Sequence, residues 1–184
     1  IPKCSLARAG STIAHTSAYR TLNVLSLFEQ EQAFDAKNSM SYLSNITPLI
    51  LTYNEAPNLQ RVLERLTWAK QILIIDSGST DETLAIAATF PQVRVIQRPF
   101  DSFAEQCNFG LQHIDTEWVL SLDADYVLDA ELEAFLQNFA RQQPAEAGFE
   151  VRFKYAVYGK PLRGTLYPKR KVLYRRTLAQ YLND

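Results

Sequence analysis

Two aspartates separated by one alanine, Asp123 and Asp125, directly follow the apolar run Trp118–Leu122. Side chains alternate between the two faces of a strand, so carboxylates at positions i and i+2 point the same way. Two such carboxylates repel each other unless a cation neutralises them, and oxygen ligands favour the hard ions Mg²⁺ and Mn²⁺. These sites use few protein carboxylates and leave positions for water and substrate phosphates. The motif therefore indicates a metal site for a phosphorylated substrate.

A simpler interpretation is that Asp123 and Asp125 begin a solvated turn, with Asp129 capping the next helix. Short Asp-rich loops of this kind are common, so the motif alone leaves both interpretations open. The elements that precede the motif favour the metal site.

Strand-like and helix-like segments alternate four times before the motif. The predicted strands are Pro48–Tyr53, Gln71–Asp76, Val93–Ile96 and Glu117–Leu122, and the predicted helices are 57–67, 83–89 and a third that begins at Asp101 or Ser102 and ends near His113. Ser79 and Glu82 have capping-box spacing for the second helix. The alternation predicts an α/β fold with a mostly parallel sheet flanked by helices, in which ligands bind outside the carboxyl ends of the strands.

Three more segments follow the motif. A helix is predicted from Asp129 to Arg141, a strand over 149–157 with a turn at 158–161, and a helix-like segment over 177–182.

The predicted carboxyl ends of the strands carry polar residues, namely Asn54, Glu55, Asp76, Asp123 and Asp125. Neither G-x-G-x-x-G nor a Walker A sequence occurs, which argues against a dinucleotide enzyme and a P-loop NTPase. Acids and hydroxyls at these positions suit hydrogen bonds to a ribose and a base while a metal neutralises a diphosphate. The sequence therefore predicts a nucleoside diphosphate ligand.

Length and composition predict a single domain. With 184 residues, 47% of them hydrophobic, the chain can bury one core. It has no continuous apolar stretch near the roughly 20 residues of a membrane span and no apolar block of a signal peptide, so we expect a cytoplasmic protein. Because it starts at Ile1 and stops directly after a helix-like segment, we expect a fragment incomplete at its C-terminus. Cys4 and Cys107 show no metal-ligand spacing and are expected to be structural.

The charge is unevenly distributed. Residues 1–150 hold 10 Lys+Arg and 19 Asp+Glu, whereas residues 151–176 hold nine cations and no acid. This basic stretch would attract a donor diphosphate or an acidic acceptor, or it would bring the protein into peripheral contact with an anionic membrane. The alternative is a solvated charged face without a binding role. Nucleic acid is not expected, because its recognition signatures are absent and the acidic remainder would repel a polyanion.

Three segments in order, Leu51–Glu55, Ile74–Asp81 and Leu122–Asp125, resemble the motifs of the inverting glycosyltransferases of family 2. The resemblance covers residues 46–184 and leaves residues 1–45 as an extension without an assigned role. Segments 164–168 and 172–176 are similar to those of bacterial transferases that build lipopolysaccharide core or related surface glycans. The resemblance implies a Rossmann-like GT-A domain that transfers a hexose, with inversion, from a nucleotide diphosphate sugar, most simply a UDP-sugar, to a glycan or lipid-linked acceptor.

The resemblance assigns contacts with the nucleotide sugar to Thr52, Tyr53, Glu55, Asp76, Gln106, Asn108 and Asp123. It implies that Tyr53 stacks on the base and that Asp76 binds the base or ribose. Asp125, with Asp123 beside it, would bind Mg²⁺ or Mn²⁺. The alternatives are a half-buried aromatic for Tyr53, a helix-capping acid for Asp76 and simple helix packing for Asn108.

The catalytic base is the least defined part of the resemblance. The family pattern predicts an acid after the metal motif, where Asp184 stands, with Glu150 as a second candidate; Asp184 is otherwise an ordinary surface acid. Cys107 replaces a basic residue that is frequent in the family, which leaves Arg98 or the C-terminal arginines as substitutes. His113 is expected to be a cation at a helix C-terminus.

Three other functions remain open. A nucleotidyltransferase also uses a metal on an α/β sheet but normally has a Gly-rich phosphate loop after its first strand. A non-catalytic module would bind a sugar nucleotide or glycan without turnover. A structural partner domain would show no metal-dependent nucleotide binding.

Overall fold

The computed structural model describes residues 5–6, 19–21, 43–142, 144–157, 160–162 and 168–183. Asp184, the predicted base, lies outside the described residues, as do Cys4 and 163–167. The described strands are β1 (Ser5–Leu6), β2 (Tyr19–Thr21), β3 (Ile46–Thr52), β4 (Ile72–Asp76), β5 (Val93–Gln97), β6 (Trp118–Asp123), β7 (Gly148–Val151), β8 (Ala156–Val157), β9 (Lys160–Pro161), β10 (Arg170–Arg175) and β11 (Tyr181–Leu182).

Seven of these strands form one sheet in the spatial order β2-β7-β10-β6-β3-β4-β5. Strands β6, β3, β4 and β5 are parallel to one another, as β2 is to β7, whereas β10 runs antiparallel to both β6 and β7. The predicted α/β fold with a mostly parallel sheet is confirmed. Parallel neighbours end at the same edge of a sheet, so the carboxyl ends of β3, β4, β5 and β6 lie side by side.

The described helices are α1 (Ala56–Glu64), α2 (Thr83–Ala88), α3 (Phe103–Gln112) and α4 (Ala130–Gln142). The α3 cap is Ser102, whose Oγ accepts a hydrogen bond from the Glu105 backbone N–H at 3.2 Å. Asp129 caps α4 in the same way, since its Oδ1 accepts from the Leu132 N–H at 2.9 Å. Side-chain oxygens of these types satisfy backbone donors that a helix start leaves unpaired.

Both faces of the sheet are buried. Ile50, Ile74 and Leu120 belong to a core cluster on one face, and Leu49 and Val119 belong to a second cluster on the other. The second cluster includes Cys107, whose thiol is free and buried, as expected for a structural residue. No helix in the described ranges is long and apolar enough to cross a membrane.

Three local predictions are wrong: one capping box, the extent of one strand and one helix. Ser79 and Glu82 form no capping box, because Glu82 makes no side-chain cap and Ser79 hydrogen-bonds to Asp76. The strand predicted over 149–157 ends at Val151, and a short antiparallel pair, β8 with β9, follows.

The helix-like segment over 177–182 is not a continuous helix. A 3₁₀ helix over Arg176–Leu178 leads instead into β11, which pairs antiparallel with β1. Leu178 and Tyr181 have helical spacing, but the Tyr181 side chain is buried against α3, and this contact with a distant element outweighs the local pattern.

Candidate functional site

Polar residues from three neighbouring strands meet at the carboxyl edge of the sheet. In the sheet register Thr52 pairs with Asp76, and Leu51 pairs with Asp123. The Thr52 hydroxyl donates a hydrogen bond to Asp76 Oδ1 at 3.0 Å. The structure therefore brings Thr52, Asp76 and Asp123 to one edge, as parallel strands require.

Asp76 is fully buried, with 0% of its surface exposed. Its Oδ2 accepts hydrogen bonds from the backbone N–H groups of Gly78 at 3.0 Å and Ser79 at 2.9 Å, and its Oδ1 accepts one from the Ser79 hydroxyl at 2.5 Å. Burial by itself raises the pKa of Asp76, but these bonds and the one from Thr52 outweigh it and lower the pKa below its usual value. Asp76 therefore holds the loop after β4 as a carboxylate.

The loops after β3 and β4 are joined by several hydrogen bonds. Asn54, whose φ of 54° lies in the left-handed region, accepts the Thr80 N–H at 2.8 Å and donates its own N–H to Ser79 Oγ at 2.8 Å. The Glu55 N–H donates to Thr83 Oγ1 at 2.8 Å. Asparagine tolerates left-handed backbone better than most residues. These bonds fix the loop around Tyr53, whose side chain is 61% exposed.

The side chains of Tyr53 and Glu55, both beside this edge, differ in their exposure and hydrogen bonding. The exposed ring of Tyr53 presents a face on which a base could stack. Glu55 is half-buried, and its Oε2 accepts a hydrogen bond from Asn58 Nδ2 at 2.8 Å. Tyr53 is therefore the more available of the two to a ligand.

Asp123 is paired with Arg170. Arg170 Nη1 lies 3.3 Å from Asp123 Oδ2 and donates a hydrogen bond to the Tyr126 hydroxyl at 2.7 Å. Burial raises the pKa of Asp123, and the neighbouring Tyr126 hydroxyl and Arg170 only partly offset this. Asp125 is exposed, two residues further on. The pair predicted from sequence thus consists of one neutralised carboxylate and one open to solvent.

The Asp123 and Asp125 pair fits only one kind of metal site. No group of three or more His, Cys, Asp or Glu that could hold a metal occurs among the residues the structure describes. Mg²⁺ and Mn²⁺ bound through one or two carboxylates take their remaining ligands from phosphates and water. The pair therefore suits an ion shared with a diphosphate.

Gln106 of α3 is hydrogen-bonded to the segments that follow β4 and β5 at the carboxyl edge of the sheet. It is fully buried, donates to Ser77 Oγ at 3.0 Å and to the Arg98 carbonyl at 3.1 Å, and accepts from Arg98 Nη1 at 2.5 Å. Arg98 is also paired with both carboxylate oxygens of Asp101. Both side chains are occupied in holding the ends of β4 and β5 against α3.

Asn108 is not brought to the other predicted site residues. Its Nδ2 donates to the Tyr181 carbonyl at 2.8 Å, and its Oδ1 accepts the Tyr181 N–H at 2.9 Å. The contacts are those of helix packing against β11. His113, at the end of the same helix, lies with its Nδ1 2.8 Å from the Phe109 carbonyl.

The basic stretch is divided between two edges of the sheet. Because β10 is antiparallel to β6, Arg170 lies at the carboxyl edge and Arg175 pairs with Trp118 at the amino end of β6. Arg175 forms an ion pair with Glu117 and donates to the Pro144 carbonyl at 2.5 Å. A strand of this length separates its ends by about 17 Å. Arg175 is therefore remote from the predicted site.

Sequence reasoning missed two of the residues that shape the site. Tyr126 follows the acidic motif closely, yet a tyrosine in a turn carries no signal of its own. Arg170 stood among nine cations, and only the placement of β10 distinguishes it from the others.

The family model described as Glycosyl transferase family 2 matches residues 49–181, which include all of the strand ends described above. The chain belongs to glycosyl transferase family 2. This confirms the resemblance drawn from Leu51–Glu55, Ile74–Asp81 and Leu122–Asp125.

Two relatives show how much of such a protein the chain represents. It is 29% identical over 110 residues to the lipopolysaccharide core biosynthesis glycosyltransferase LpsC of Rhizobium meliloti, a match that covers 58% of this chain and 41% of LpsC. It is 26% identical over 143 residues to an uncharacterized glycosyltransferase of Rickettsia bellii, covering 75% of this chain and 48% of the relative. The chain therefore spans about half the length, or less, of these relatives.

Solved structures share the fold. The crystal structure of S. aureus TarS 1-349 in complex with UDP matches with a TM-score of 0.53 at 20% sequence identity, over 72% of this chain and 47% of that one. Another TarS structure matches with a TM-score of 0.52 at 21% identity, over 72% of this chain and 28% of that one. The predicted GT-A, Rossmann-like fold is confirmed.

Proposed function

We propose that this family 2 domain transfers a hexose from a nucleoside diphosphate sugar to an acceptor hydroxyl, with inversion at the anomeric carbon. The observation that supports the proposal is that β3 and β6 end side by side, with Leu51 opposite Asp123, so that the exposed Tyr53 and the acids Asp123 and Asp125 follow at one edge of the sheet. These groups offer what a nucleoside diphosphate needs, namely a stacking surface and oxygen ligands for a bridging cation.

The nucleoside end of the donor is assigned to the loops after β3 and β4. Tyr53 stacks on the base, with Thr52 and Glu55 lining the pocket beside it. Because Asp76 is buried and bonded to Gly78 and Ser79, its first effect is to fix the loop that borders the base and ribose. Gln106 supports the same loop through Ser77.

The diphosphate end is assigned to the acidic motif. Asp125 and Asp123 would hold Mg²⁺ or Mn²⁺, and a bound ion of this type would stabilise the negative charge of the departing diphosphate. Asp125 is exposed, and among the described residues no side chain is bonded to its carboxylate. It is the more direct ligand of the two, since Asp123 already has Arg170 as a partner.

Inversion requires direct displacement. The acceptor oxygen attacks the anomeric carbon, the bond to the diphosphate oxygen breaks, and a carboxylate removes the acceptor proton. Asp184 stays the predicted base. Glu150, the second candidate, pairs with Lys171 across β7 and β10, so β10 separates it from Asp123.

The donor we propose is a UDP-sugar, and the acceptor a glycan or lipid-linked glycan of a bacterial surface. TarS, which shares the fold, was crystallised with UDP. LpsC is a lipopolysaccharide core enzyme, and its similarity to this chain supports the acceptor class.

Isothermal titration with UDP and with GDP, each with and without Mn²⁺, tests the site. We expect Mn²⁺-dependent binding of UDP, weakened at least tenfold in Asp125→Ala, because the ion that bridges protein and diphosphate loses its open ligand. Asp115→Ala is the matched control, since Asp115 is an exposed acid before the amino end of β6.

The outcomes separate the rival functions. If Asp125→Ala binds UDP and Mn²⁺ as the parent does, the metal assignment is wrong. If no nucleotide binds with or without Mn²⁺, the nucleotide site itself is wrong, which favours a structural partner domain. If UDP binds but no UDP is released from any UDP-sugar supplied with acceptor glycans, the chain is a binding module and the transfer proposal fails.

A further inference from the structure

Asp123 is not a free metal ligand in this structure. Its Oδ2 lies 3.3 Å from Arg170 Nη1, and the two side chains are 38% and 32% exposed. The same Nη1 donates a hydrogen bond to the Tyr126 hydroxyl at 2.7 Å. A cation therefore already lies beside the first aspartate of the acidic motif.

The fold holds Arg170 in this place. As the first residue of the antiparallel strand β10, it pairs with Val151 and stands at the carboxyl edge beside β6. Tyr126 is fixed in turn, since its N–H donates to the Asp123 carbonyl at 3.0 Å and its ring lies 4.4 Å, centroid to centroid, from that of Phe153. The Arg170 guanidinium carbon is 5.9 Å from the centroid of the Tyr126 ring. Arg170 is thus oriented both by a charge and by an aromatic side chain.

A bound nucleoside diphosphate would add negative charge to this site. Without one, Arg170 offsets part of the negative charge that would draw a divalent cation to Asp123 and Asp125. Among the described residues, Arg170 Nε and Nη2 contact no acceptor, so their N–H groups are available to a ligand. A guanidinium can bind a carboxylate and a phosphate at once, because its donors point in several directions.

We propose that Arg170 makes metal binding depend on the nucleotide: it opposes a divalent cation at Asp123 while no nucleotide is present, and it donates hydrogen bonds to the donor diphosphate once one binds. The proposal rests on the proposed function, because it takes a nucleoside diphosphate as the ligand. Arg170 is then a positioning residue that joins the acidic motif to the donor.

Two binding measurements on Arg170→Ala test it. Mn²⁺ alone, followed by the loss of the free-ion signal in electron paramagnetic resonance, is expected to bind up to about fivefold more tightly than to the parent, as removal of a partly exposed ion pair allows. UDP titrated in the presence of Mn²⁺ is expected to bind at least about tenfold more weakly, because charged hydrogen bonds to phosphate are lost. The effects have opposite signs, which a general loss of structure would not produce.

Two further variants sharpen the test. Arg170→Lys keeps the charge but lacks the guanidinium fork, so Mn²⁺ alone should bind as in the parent while UDP affinity still falls. Arg94→Ala removes an exposed arginine of β5 that lines a groove at the amino edge of the sheet, and it should change neither affinity.

The proposal is overturned if Arg170→Ala changes neither affinity, or if it weakens Mn²⁺ alone together with UDP. Failure of the proposed function is a different result, in which the parent itself binds neither UDP nor GDP. In that case a tighter affinity of Arg170→Ala for Mn²⁺ alone would support the first half of the proposal, and an unchanged affinity would overturn it.

Discussion

Asp76 is a buried carboxylate that the loop after β4 keeps ionised. Both of its oxygens accept hydrogen bonds, from Thr52, Gly78 and Ser79, and these bonds lower its pKa despite burial. Such a charge is costly unless its hydrogen-bonding capacity is filled. The residue therefore couples the stability of the domain to the shape of the loop that would border the nucleoside.

Asp76→Asn should reduce the free energy of unfolding by about 3 kcal/mol at neutral pH, since hydrogen bonds to a charged acceptor contribute about 1.5 to 3 kcal/mol each. The folded-state pKa lies below the usual 3.8, so the stabilisation is present above that value and is lost as the pH falls below it. Urea unfolding from pH 7 to pH 2.5 measures this. The parent should lose its excess stability over Asp76→Asn in acid, and a difference that does not depend on pH would contradict the assignment.

Helix α3 connects the candidate site to the C-terminal strand. Gln106 reaches the end of β4 through Ser77, while Asn108 holds both backbone groups of Tyr181 in β11. The buried hydroxyl of Tyr181 also donates to Ser121 in β6 at 3.1 Å. Gln106 and Asn108 were both predicted from the sequence to contact the nucleotide sugar. In the structure they support different parts of the fold.

Asn108→Ala should lower the free energy of unfolding by about 2 kcal/mol, because both backbone groups of the buried residue Tyr181 lose their partners. UDP affinity should stay within about twofold of the parent, since the side chain faces β11. Gln112→Ala, at an exposed position of the same helix, is the control and should change neither quantity. Thermal unfolding and calorimetric titration measure both, and a tenfold loss of UDP affinity at unchanged stability would restore Asn108 to the nucleotide site.

Across the whole molecule, the parts that sequence predicted are those governed by local pattern. Apolar runs ending in acids place Asp76 and Asp123 at strand ends, and parallel order then brings them to one edge. The start of α3 was predicted at Asp101 or Ser102, and Ser102 is the residue that caps it.

The parts that sequence could not predict depend on contacts between distant segments. Arg170 reaches Asp123 across 47 positions because β10 inserts antiparallel between β6 and β7. Tyr181 joins β11 because α3, 73 positions away, supplies its partner. No local pattern specifies either register.

The charge distribution of the molecule follows from the same topology. Arg170 pairs with Asp123 at the carboxyl edge of the sheet. Arg175 and Arg176 instead bind Glu117 and backbone carbonyls near the amino end of β6. Peripheral contact between the basic stretch and an anionic membrane stays a prediction, and these two arginines are already occupied within the fold.

We propose that a divalent cation and a nucleoside diphosphate bind together at the carboxyl edge of β3, β4 and β6. An anomalous difference map from crystals grown with Mn²⁺ and UDP tests it most directly. We expect a manganese peak about 2.1 Å from an Asp125 carboxylate oxygen, shared with the diphosphate, and a uracil ring against Tyr53. Manganese and UDP bound elsewhere, such as in the groove lined by Lys70 and Arg94 at the amino edge, would contradict this proposal.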